Sequence, residues 1–211
     1  MATIAIIGAN GKAGRLITRE AVRRGHEVTA IIRDASASRG DAQHLLVRDI
    51  PSITRDDLRG FDAVACAYGN WRPEPQSFAH AYGHLADVLS GTATQLVIVG
   101  GAGSLYADGS RTERLVDTEP FASSPYATLS SAQRNGLEEI RGRNDVQWTF
   151  VSPAASFDAD GPRTGHYVQE GDAFTTDAQG NSAISYADYA IAILDVIEHG
   201  TNRQEHISVR W

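Results

Sequence analysis

Short apolar runs recur along the chain, and most are followed by a stretch with helical periodicity. The runs are continuously apolar rather than alternating, which is typical of strands buried on both faces of a parallel sheet. We predict strands at Thr3–Ile7, Val28–Ile32, Leu45–Val47, Phe61–Ala67, Leu96–Val99, Val146–Val151 and Glu205–Arg210.

The helical stretches have recognisable ends. Helices are predicted over Gly11–Arg24, Gln76–Leu89, from Ser124 past Ile140, and over Ser185–His199, with a helical turn at Arg55–Leu58. Ser124-Pro125 is a typical N-cap followed by a first-turn proline, and Ser185 to Asp188 form a capping box. Strands alternating with helices predict an α/β fold with a doubly wound parallel sheet. Residues 1–211 are expected to form one domain, in which 152–181 are loops on the substrate side.

The first strand runs directly into Gly8-Ala9-Asn10-Gly11-Lys12-Ala13-Gly14, which opens the first helix. Glycines allow a tight turn and let backbone N–H groups approach a pyrophosphate at the helix N-terminus. The spacing is G-x-x-G-x-x-G, one residue wider than the common dinucleotide fingerprint G-x-G-x-x-G. A glycine-rich turn without a ligand is the alternative, but the strand–loop–helix context favours a dinucleotide site.

In a doubly wound sheet the ligand binds beyond the carboxyl ends of the strands. Residues that follow the predicted strands are therefore expected to bind the cofactor. The predicted cofactor-binding residues are Gly8, Asn10, Gly11, Lys12, Ala13, Gly14, Arg33, Asp49, Ile50, Ala67, Tyr68, Gly69, Ser152, Pro153 and Ala154.

The end of the second strand bears on the choice of nicotinamide cofactor. An acidic residue there binds a ribose 2′-hydroxyl, whereas an arginine accommodates a 2′-phosphate. The chain has both, Arg33 and then Asp34. Arg33 comes first and its planar guanidinium suits a phosphate, so NADP(H) is predicted over NAD(H). Arg39 could add charge, but a solvated loop position is the simpler interpretation.

Charge and composition exclude several other classes. The net charge is −7, with +3 on residues 1–60 and −10 on the remainder. This distribution argues against nucleic acid and suits an anionic cofactor near the N-terminus. No apolar run is long enough for a membrane span, no signal peptide precedes Ile4, and the single cysteine, Cys66, fits a reducing cytoplasm. His80 and His84 have helical spacing but no third ligand, so no metal site is predicted.

Together these segments resemble a known family. Gly8–Gly14, Arg33 and Asp49-Ile50 resemble the atypical short-chain dehydrogenase/reductases with an NmrA-like, NAD(P)H-binding Rossmann domain. So do Val99–Ser104, Trp148–Pro153 and Tyr186–Ala190, and the similarity covers essentially the whole chain. The branch is that of the NADH–flavin reductases, with biliverdin reductase B-like proteins nearby. The resemblance implies a Rossmann fold and an NAD(P)H-dependent oxidoreductase.

Two candidate catalytic residues, Tyr126 and Ser104, are suggested at this point. Short-chain dehydrogenases resembling this chain use Tyr-x-x-x-Lys, and Tyr126 occupies the tyrosine position, but Ser130 replaces the lysine. The chain has only one lysine, Lys12, in the glycine loop. An isolated phenol keeps a pKa near 10 and is a poor proton donor at neutral pH. Tyr126 is therefore either catalytic or a packing residue, and Ser104 is either a substrate-side hydroxyl or a loop residue.

The missing lysine favours an acceptor that delocalises the charge of the incoming hydride. A flavin, quinone or tetrapyrrole-like acceptor can take its proton from water, and FMN is expected as a substrate rather than a bound cofactor. Trp71 and Phe157 are candidate walls for such a planar molecule. The alternatives are a redox sensor that binds NADP(H) without turnover and an epimerase/dehydratase-like enzyme acting on a nucleotide sugar. The expected partner is a small-molecule substrate, and the expected state is a monomer or homodimer.

Overall fold

An eight-stranded sheet spans the computed structural model, which describes residues 1–211. In chain order its strands are β1 (Thr3–Ile7), β2 (Glu27–Ile32), β3 (His44–Val47), β4 (Ala63–Cys66), β5 (Gln95–Val99), β6 (Gln147–Pro153), β8 (Val168–Glu170) and β10 (Glu205–Arg210). Their spatial order is β3-β2-β1-β4-β5-β6-β10-β8. Seven strands are parallel, and β8 pairs antiparallel to β10 at one edge. A separate parallel pair consists of β7 (Ser156–Asp158) and β9 (Ala183–Ser185).

Two helices cover each face of the sheet. Helices α1 (Lys12–Arg23) and α4 (Tyr186–His199) pack on one face, and α2 (Ser77–Leu89) and α3 (Ala127–Arg141) pack together on the other. Alternate side chains of β1 enter the two cores: Ile4 and Ile6 join α1 and α4, whereas Ala5 and Ile7 face the α2 side. Burial on both faces explains why the strands are continuously apolar. The predicted doubly wound α/β fold is confirmed.

The sheet has a switch point at β1. From β1 the chain proceeds through β2 to β3 in one direction, and then returns to β4, β5 and β6 on the other side of β1. Connections on the two sides lie on opposite faces, so a crevice opens beyond the carboxyl ends of β1 and β4. The fold thereby places the glycine loop at the centre of that crevice.

Most elements begin and end within two residues of the predicted positions, but the predicted cap of α3 is wrong. Ser124 does not cap α3; the helix begins at Ala127 without a side-chain cap, because the Ser124 carbonyl accepts the Ala127 N–H (3.1 Å) in a preceding turn. The turn predicted at Arg55–Leu58 is present, since residues 55–60 form hydrogen-bonded turns. A further helical turn lies at Ile50–Ser52, where the Asp49 carboxylate accepts the Ile50 N–H. No helix is long and apolar enough to cross a membrane.

The predicted capping box at the start of α4 is half formed. The Ser185 hydroxyl accepts the Asp188 N–H (3.0 Å), as predicted. The buried Asp188 carboxylate, however, accepts the N–H groups of Thr164 and Gly165 and the indole N–H of Trp211. These bonds lower the pKa of Asp188, although burial acts in the opposite direction. Asp188 therefore ties the 164–165 loop and the C-terminus to α4, rather than completing its cap.

Asp195 and Glu198 of α4 connect two helices. The Arg24 guanidinium at the end of α1 donates to both carboxylates (2.6 and 2.5 Å) and also to Glu20. The Tyr167 hydroxyl donates to Asp195 (2.7 Å). This partly buried network joins α1 to α4 and to the loop before β8.

Candidate functional site

A cleft of about 850 Å³ opens at the carboxyl ends of the central strands. Residues at the ends of β1, β2, β4, β5 and β6 contribute to it, and α3 and the segment after β6 close its far side. The strand-end residues that line it include Gly8, Arg33, Ala67, Gly100 and Pro153. The cleft therefore lies where the strand order predicts a ligand.

Two glycines of the loop are required by close backbone contacts. Gly8 has a φ of +75°, and a Cβ atom there would lie 2.6 Å from the Ala67 carbonyl oxygen. A Cβ atom at Gly14 would lie 2.1 Å from the Gly8 carbonyl oxygen. Both distances are far shorter than a real carbon–oxygen contact. Glycine at these positions therefore lets α1 pack directly against the turn and lets the turn approach β4.

The N-terminus of α1 is open to a ligand. Gly11 is its N-cap, no side chain caps the helix, and its first turn has no acidic residue. The N–H groups of Lys12 and Ala13 donate to no backbone carbonyl and line the cleft, with the Lys12 side chain exposed. Free N–H groups and the positive end of the helix dipole favour an anion such as a pyrophosphate.

Two arginines lie at the same end of the cleft. Arg33 is exposed, lines the cleft and forms no ion pair, whereas Arg48 donates to the Val47 carbonyl and lies 3.4 Å from Asp57. The Asp34 carboxylate accepts the N–H and hydroxyl of Ser36 (2.8 and 2.7 Å), which lowers its pKa. Asp34 is thus engaged in its own turn, while the Arg33 guanidinium is free to meet a ligand. Arg39 donates to the Gln43 carbonyl and does not line the cleft.

The ends of β3 and β4 form the floor beside these cations. Asp49, Ile50, Tyr68 and Gly69 all line the cleft, and the Tyr68 ring packs on Phe78 at a centroid distance of 5.0 Å. The thiol of Cys66 is fully buried behind them, and burial raises its pKa to about 12. A thiol with so high a pKa is not a nucleophile at neutral pH.

The opposite end of the cleft is aromatic and carries no charged side chain. Trp71 and Tyr126 line it and remain 69% and 61% exposed. Phe157 stacks on Tyr186 with ring centroids 3.8 Å apart. Burial, together with the neighbouring Tyr126 phenol, raises the pKa of Tyr186. Of the four charged residues that line the cleft, Arg33, Arg48 and Asp49 follow β2 and β3, on the other side of β1 from β5 and β6, and Lys12 is in the glycine loop. The cleft is therefore divided into a charged end and an uncharged aromatic end.

Helix α3 presents three polar side chains to the aromatic end. Tyr126, Ser130 and Gln133 lie at successive turns of one face and line the cleft. No lysine accompanies them, since the one lysine of the chain, Lys12, is in the glycine loop, and Arg134 on the same helix donates to Asp117 and does not line the cleft. This face lacks the ammonium group that would lower the pKa of a catalytic tyrosine.

Three of the predicted site residues do not line the cleft. Gly14 lies beneath the loop that it allows to form. Ser104 is fully buried, its hydroxyl has no partner, and its carbonyl accepts from the Arg114 guanidinium (2.8 Å). Ser152 is also buried, and its hydroxyl donates to the Gly101 carbonyl (2.9 Å). All other predicted cofactor-binding residues, with Trp71, Tyr126 and Phe157, line the cleft.

Sequence reasoning missed several lining residues. Arg48 directly follows β3, so the strand-end rule could have found it. Gln133 and Tyr186 carry no local signal, because the first is one polar residue in an amphipathic helix and the second follows an irregular segment. Elsewhere, His84 lies 2.9 Å from the Ile53 carbonyl, and no metal-binding cluster includes it or His80.

Fold and cleft together define a dinucleotide-binding protein of the Rossmann class. A family model described as NAD(P)H-binding matches residues 8–200, and the chain belongs to this family. The predicted resemblance to NAD(P)H-binding, atypical short-chain dehydrogenases is thereby confirmed, and with it a nicotinamide cofactor.

Known relatives match over nearly their full length. The YwnB protein of Bacillus subtilis is 43% identical over 98% of this chain and 97% of its own. The crystal structure of a "putative NADH-flavin reductase" from Streptococcus pneumoniae is 44% identical, with a TM-score of 0.95 over 100% of this chain and 99% of that one. A "putative epimerase" from Bacteroides thetaiotaomicron is 30% identical, with a TM-score of 0.86 over 100% and 97% of the two chains. These names point to different reactions, so the residues of the cleft must decide between them.

Proposed function

We propose that the protein is an NADPH-dependent oxidoreductase that transfers hydride to a flavin or a similarly conjugated planar acceptor. The observation that carries this proposal is the division of one cleft into a cationic end with a free helix N-terminus and an uncharged aromatic end. The first end suits the phosphates of a dinucleotide, and the second suits a flat organic molecule placed against the nicotinamide.

The cationic end supports the choice of NADPH. Gly8, Asn10, Gly11, Lys12 and Ala13 would hold the pyrophosphate at the start of α1. Arg33 would bind the 2′-phosphate, because its guanidinium is free while the Asp34 carboxylate is held by Ser36. Asp49-Ile50 and Ala67–Gly69 would border the adenosine half, and Pro153-Ala154 the nicotinamide half. Arg48 supplies further positive charge at the same end.

The aromatic end supports a conjugated acceptor. A reduced nicotinamide transfers a hydride to the acceptor, and the reduced acceptor must also gain one proton. A simple ketone needs that proton from a nearby acid, but Ser130 stands in the lysine position and leaves Tyr126 without its activating cation. A conjugated acceptor delocalises the charge and takes the proton from water, so the protein has only to bind and orient it. Trp71 and Phe157 would form walls for such a ring.

The same absence of a lysine weakens the epimerase alternative. Oxidising a sugar hydroxyl requires a base with a lowered pKa, and α3 offers only Tyr126, Ser130 and Gln133. The absence of a lysine is compatible with an NADP(H)-binding sensor, because such a sensor needs neither an acid nor a base.

An acceptor panel tests the proposal. NADPH oxidation is followed at the reduced-nicotinamide absorbance band with FMN, lumiflavin, menadione and simple ketones. Turnover with the conjugated acceptors and none with ketones is expected. Efficient ketone reduction would overturn the assignment. Tight NADPH binding with no turnover by any acceptor would identify the protein as a sensor instead.

A further inference from the structure

Gln133 is a polar side chain at the aromatic end of the cleft with both ends of its amide free. It is partly buried and lines the cleft one turn after Ser130. The neighbouring residues of α3 are engaged: Arg134 donates to Asp117, and Asn135 donates to the Pro75 carbonyl. Gln133 makes no hydrogen bond within the protein, so its amide is available to a ligand.

The Gln133 amide lies in space that is left free by the missing side chain of Gly101. A Cβ atom at Gly101 would lie 2.2 Å from the Gln133 Oε1 atom, so any other residue at 101 would displace the side chain. The Gly101 carbonyl is held from behind by the Ser152 hydroxyl (2.9 Å), which is itself 2.9 Å from the His206 Nε2 atom. Because Ser152 donates to Gly101, it accepts from His206. The loop under Gln133 is therefore fixed by two buried side chains.

The other side-chain amides of the cleft are placed differently. Asn10 belongs to the glycine loop at the charged end. The Asn70 Oδ1 atom accepts the Arg72 N–H (3.1 Å) in its own turn. Gln133 is thus the amide that faces the aromatic end with a donor and an acceptor both unused.

A carboxamide presents an N–H donor beside a C=O acceptor. Its complement is a ring edge with a carbonyl beside an N–H, as in a lactam or imide. We propose that Gln133 is a specificity-determining residue that pairs with the lactam or imide edge of the acceptor. This inference rests on the proposed function and narrows it: flavin-like rings have such an edge, whereas a quinone offers carbonyls alone and satisfies only half of the amide.

Two acceptors and two variants test the inference. Lumiflavin carries the imide edge without a phosphate or ribityl chain, and menadione is a quinone of similar width. With saturating NADPH, Gln133→Leu is expected to lower kcat/KM for lumiflavin by roughly tenfold, the effect of losing a paired hydrogen bond. The value for menadione should change by less than about twofold on the same scale. Gln133→Glu, which retains an acceptor but no donor, should also lose activity with lumiflavin.

Two controls test specifically for the hydrogen bonds between the Gln133 amide and the imide edge of the acceptor. Gln179→Leu changes an exposed glutamine outside the cleft and should alter neither acceptor. The analogue 3-methyllumiflavin lacks the imide N–H, so the parent protein should use it about as poorly as Gln133→Leu uses lumiflavin. Combining the variant with the analogue should then give little additional loss, because both changes remove the same pairing.

Other outcomes overturn the inference separately from the proposed function. An equal loss with lumiflavin and menadione, or a weakened Kd for NADPH, would show that Gln133 serves the cofactor. If no acceptor is turned over, the proposed function fails, and binding of lumiflavin to the NADP⁺-loaded protein is measured by quenching of flavin fluorescence. Weaker binding to Gln133→Leu than to the parent would then still support the pairing, and equal binding would refute it.

Discussion

The two ends of the cleft differ in the groups that form their surfaces: backbone groups at the charged end and side chains at the aromatic end. The charged end is formed by the contiguous segment Gly8–Lys12 and by residues just beyond β2 and β3, and it presents the uncapped N-terminus of α1. The aromatic end is assembled from the β4–α2 loop, α3 with its N-cap, the β6–β7 segment and the start of α4. There the surface is made of side chains such as Trp71 and Tyr126, which are still mostly exposed.

This difference separates two tasks. A pyrophosphate is recognised by fixed N–H groups and the helix dipole, which every chain with this turn supplies in the same geometry. A planar acceptor is recognised by the faces of aromatic rings and by the few polar groups between them, which depend on individual side chains. Substitutions at the charged end should therefore act on the cofactor alone, and substitutions at the aromatic end on the acceptor alone.

The largest expected effect is at the glycine loop. Gly11 has an ordinary φ of −74°, which valine also adopts, although a Cβ atom there would lie close to the Gly8 carbonyl oxygen (3.2 Å), so circular dichroism first checks that Gly11→Val folds. Its side chain would obstruct the helix N-terminus and remove charge-assisted hydrogen bonds worth about 3 kcal/mol or more together. NADPH and NADH should both bind over a hundredfold more weakly by fluorescence titration.

Gly109→Val is the matched control, since nothing lies within 4 Å of a Cβ atom at that position. It should bind both cofactors as the parent protein does. Unchanged affinity in a folded Gly11→Val protein would show that the pyrophosphate binds elsewhere.

A smaller effect is expected for Arg33→Ala. Removing one charge-assisted pair with the 2′-phosphate should weaken NADPH binding by about 1.5–3 kcal/mol and leave NADH binding nearly unchanged. Arg39→Ala removes an arginine that lies outside the cleft and should change neither affinity. Competitive titration of both cofactors provides the measurement. Equal affinities of the unmodified protein for NADPH and NADH would refute the role of Arg33.

His206, which contacts the Ser152 hydroxyl beneath the Gly101 loop, should make the free energy of unfolding depend on pH. Burial lowers the pKa of His206 to about 3, and the nearby Arg114 charge adds to this. An unfolded histidine has a pKa near 6.5, so between these values the unfolded chain binds the extra proton and stability falls as pH falls. Over pH 6.5 to 5 this amounts to about 2 kcal/mol.

Urea unfolding of the parent and of His206→Gln at several pH values checks this. The variant should show a shallower decline of unfolding free energy over that window, where carboxylates are not yet protonated. Parallel declines for the two proteins would mean that His206 is not the group responsible.

The smallest effect is expected for Tyr126→Phe. If the acceptor takes its proton from water, loss of the phenol should change the rate by no more than a few fold, whereas removing a general acid costs roughly 10²–10⁴-fold. Stopped-flow oxidation of NADPH with lumiflavin measures the step. A loss of a hundredfold or more would restore Tyr126 as the proton donor and contradict the division between binding and proton transfer.

Local patterns predicted the fold well because the central strands are buried on both faces and the helices are amphipathic. They failed where one side chain had several possible partners. Ser124 has the features of a cap but lies in the turn before α3, and Asp188 has the features of a capping residue but binds Thr164, Gly165 and Trp211. Ser104 follows a strand-end glycine loop yet turns into the protein interior. For Asp188 the deciding contacts lie more than twenty residues away in the sequence, whereas Ser124 is held by the turn that ends at Ala127.

The strands, the helices and the glycine loop follow from the sequence alone, since they depend on periodicity and on backbone conformations that only glycine permits easily. The strand order, and with it the switch point at β1, came from the structure. The sequence also placed Arg33 directly after β2, and in the structure this residue lines the cleft because the carboxyl ends of the parallel strands open into it. Only the tertiary structure brought Gln133 over Gly101 and Tyr186 against Phe157. Those residues are far apart in the chain, and their positions follow from helix packing and loop closure rather than from any local pattern.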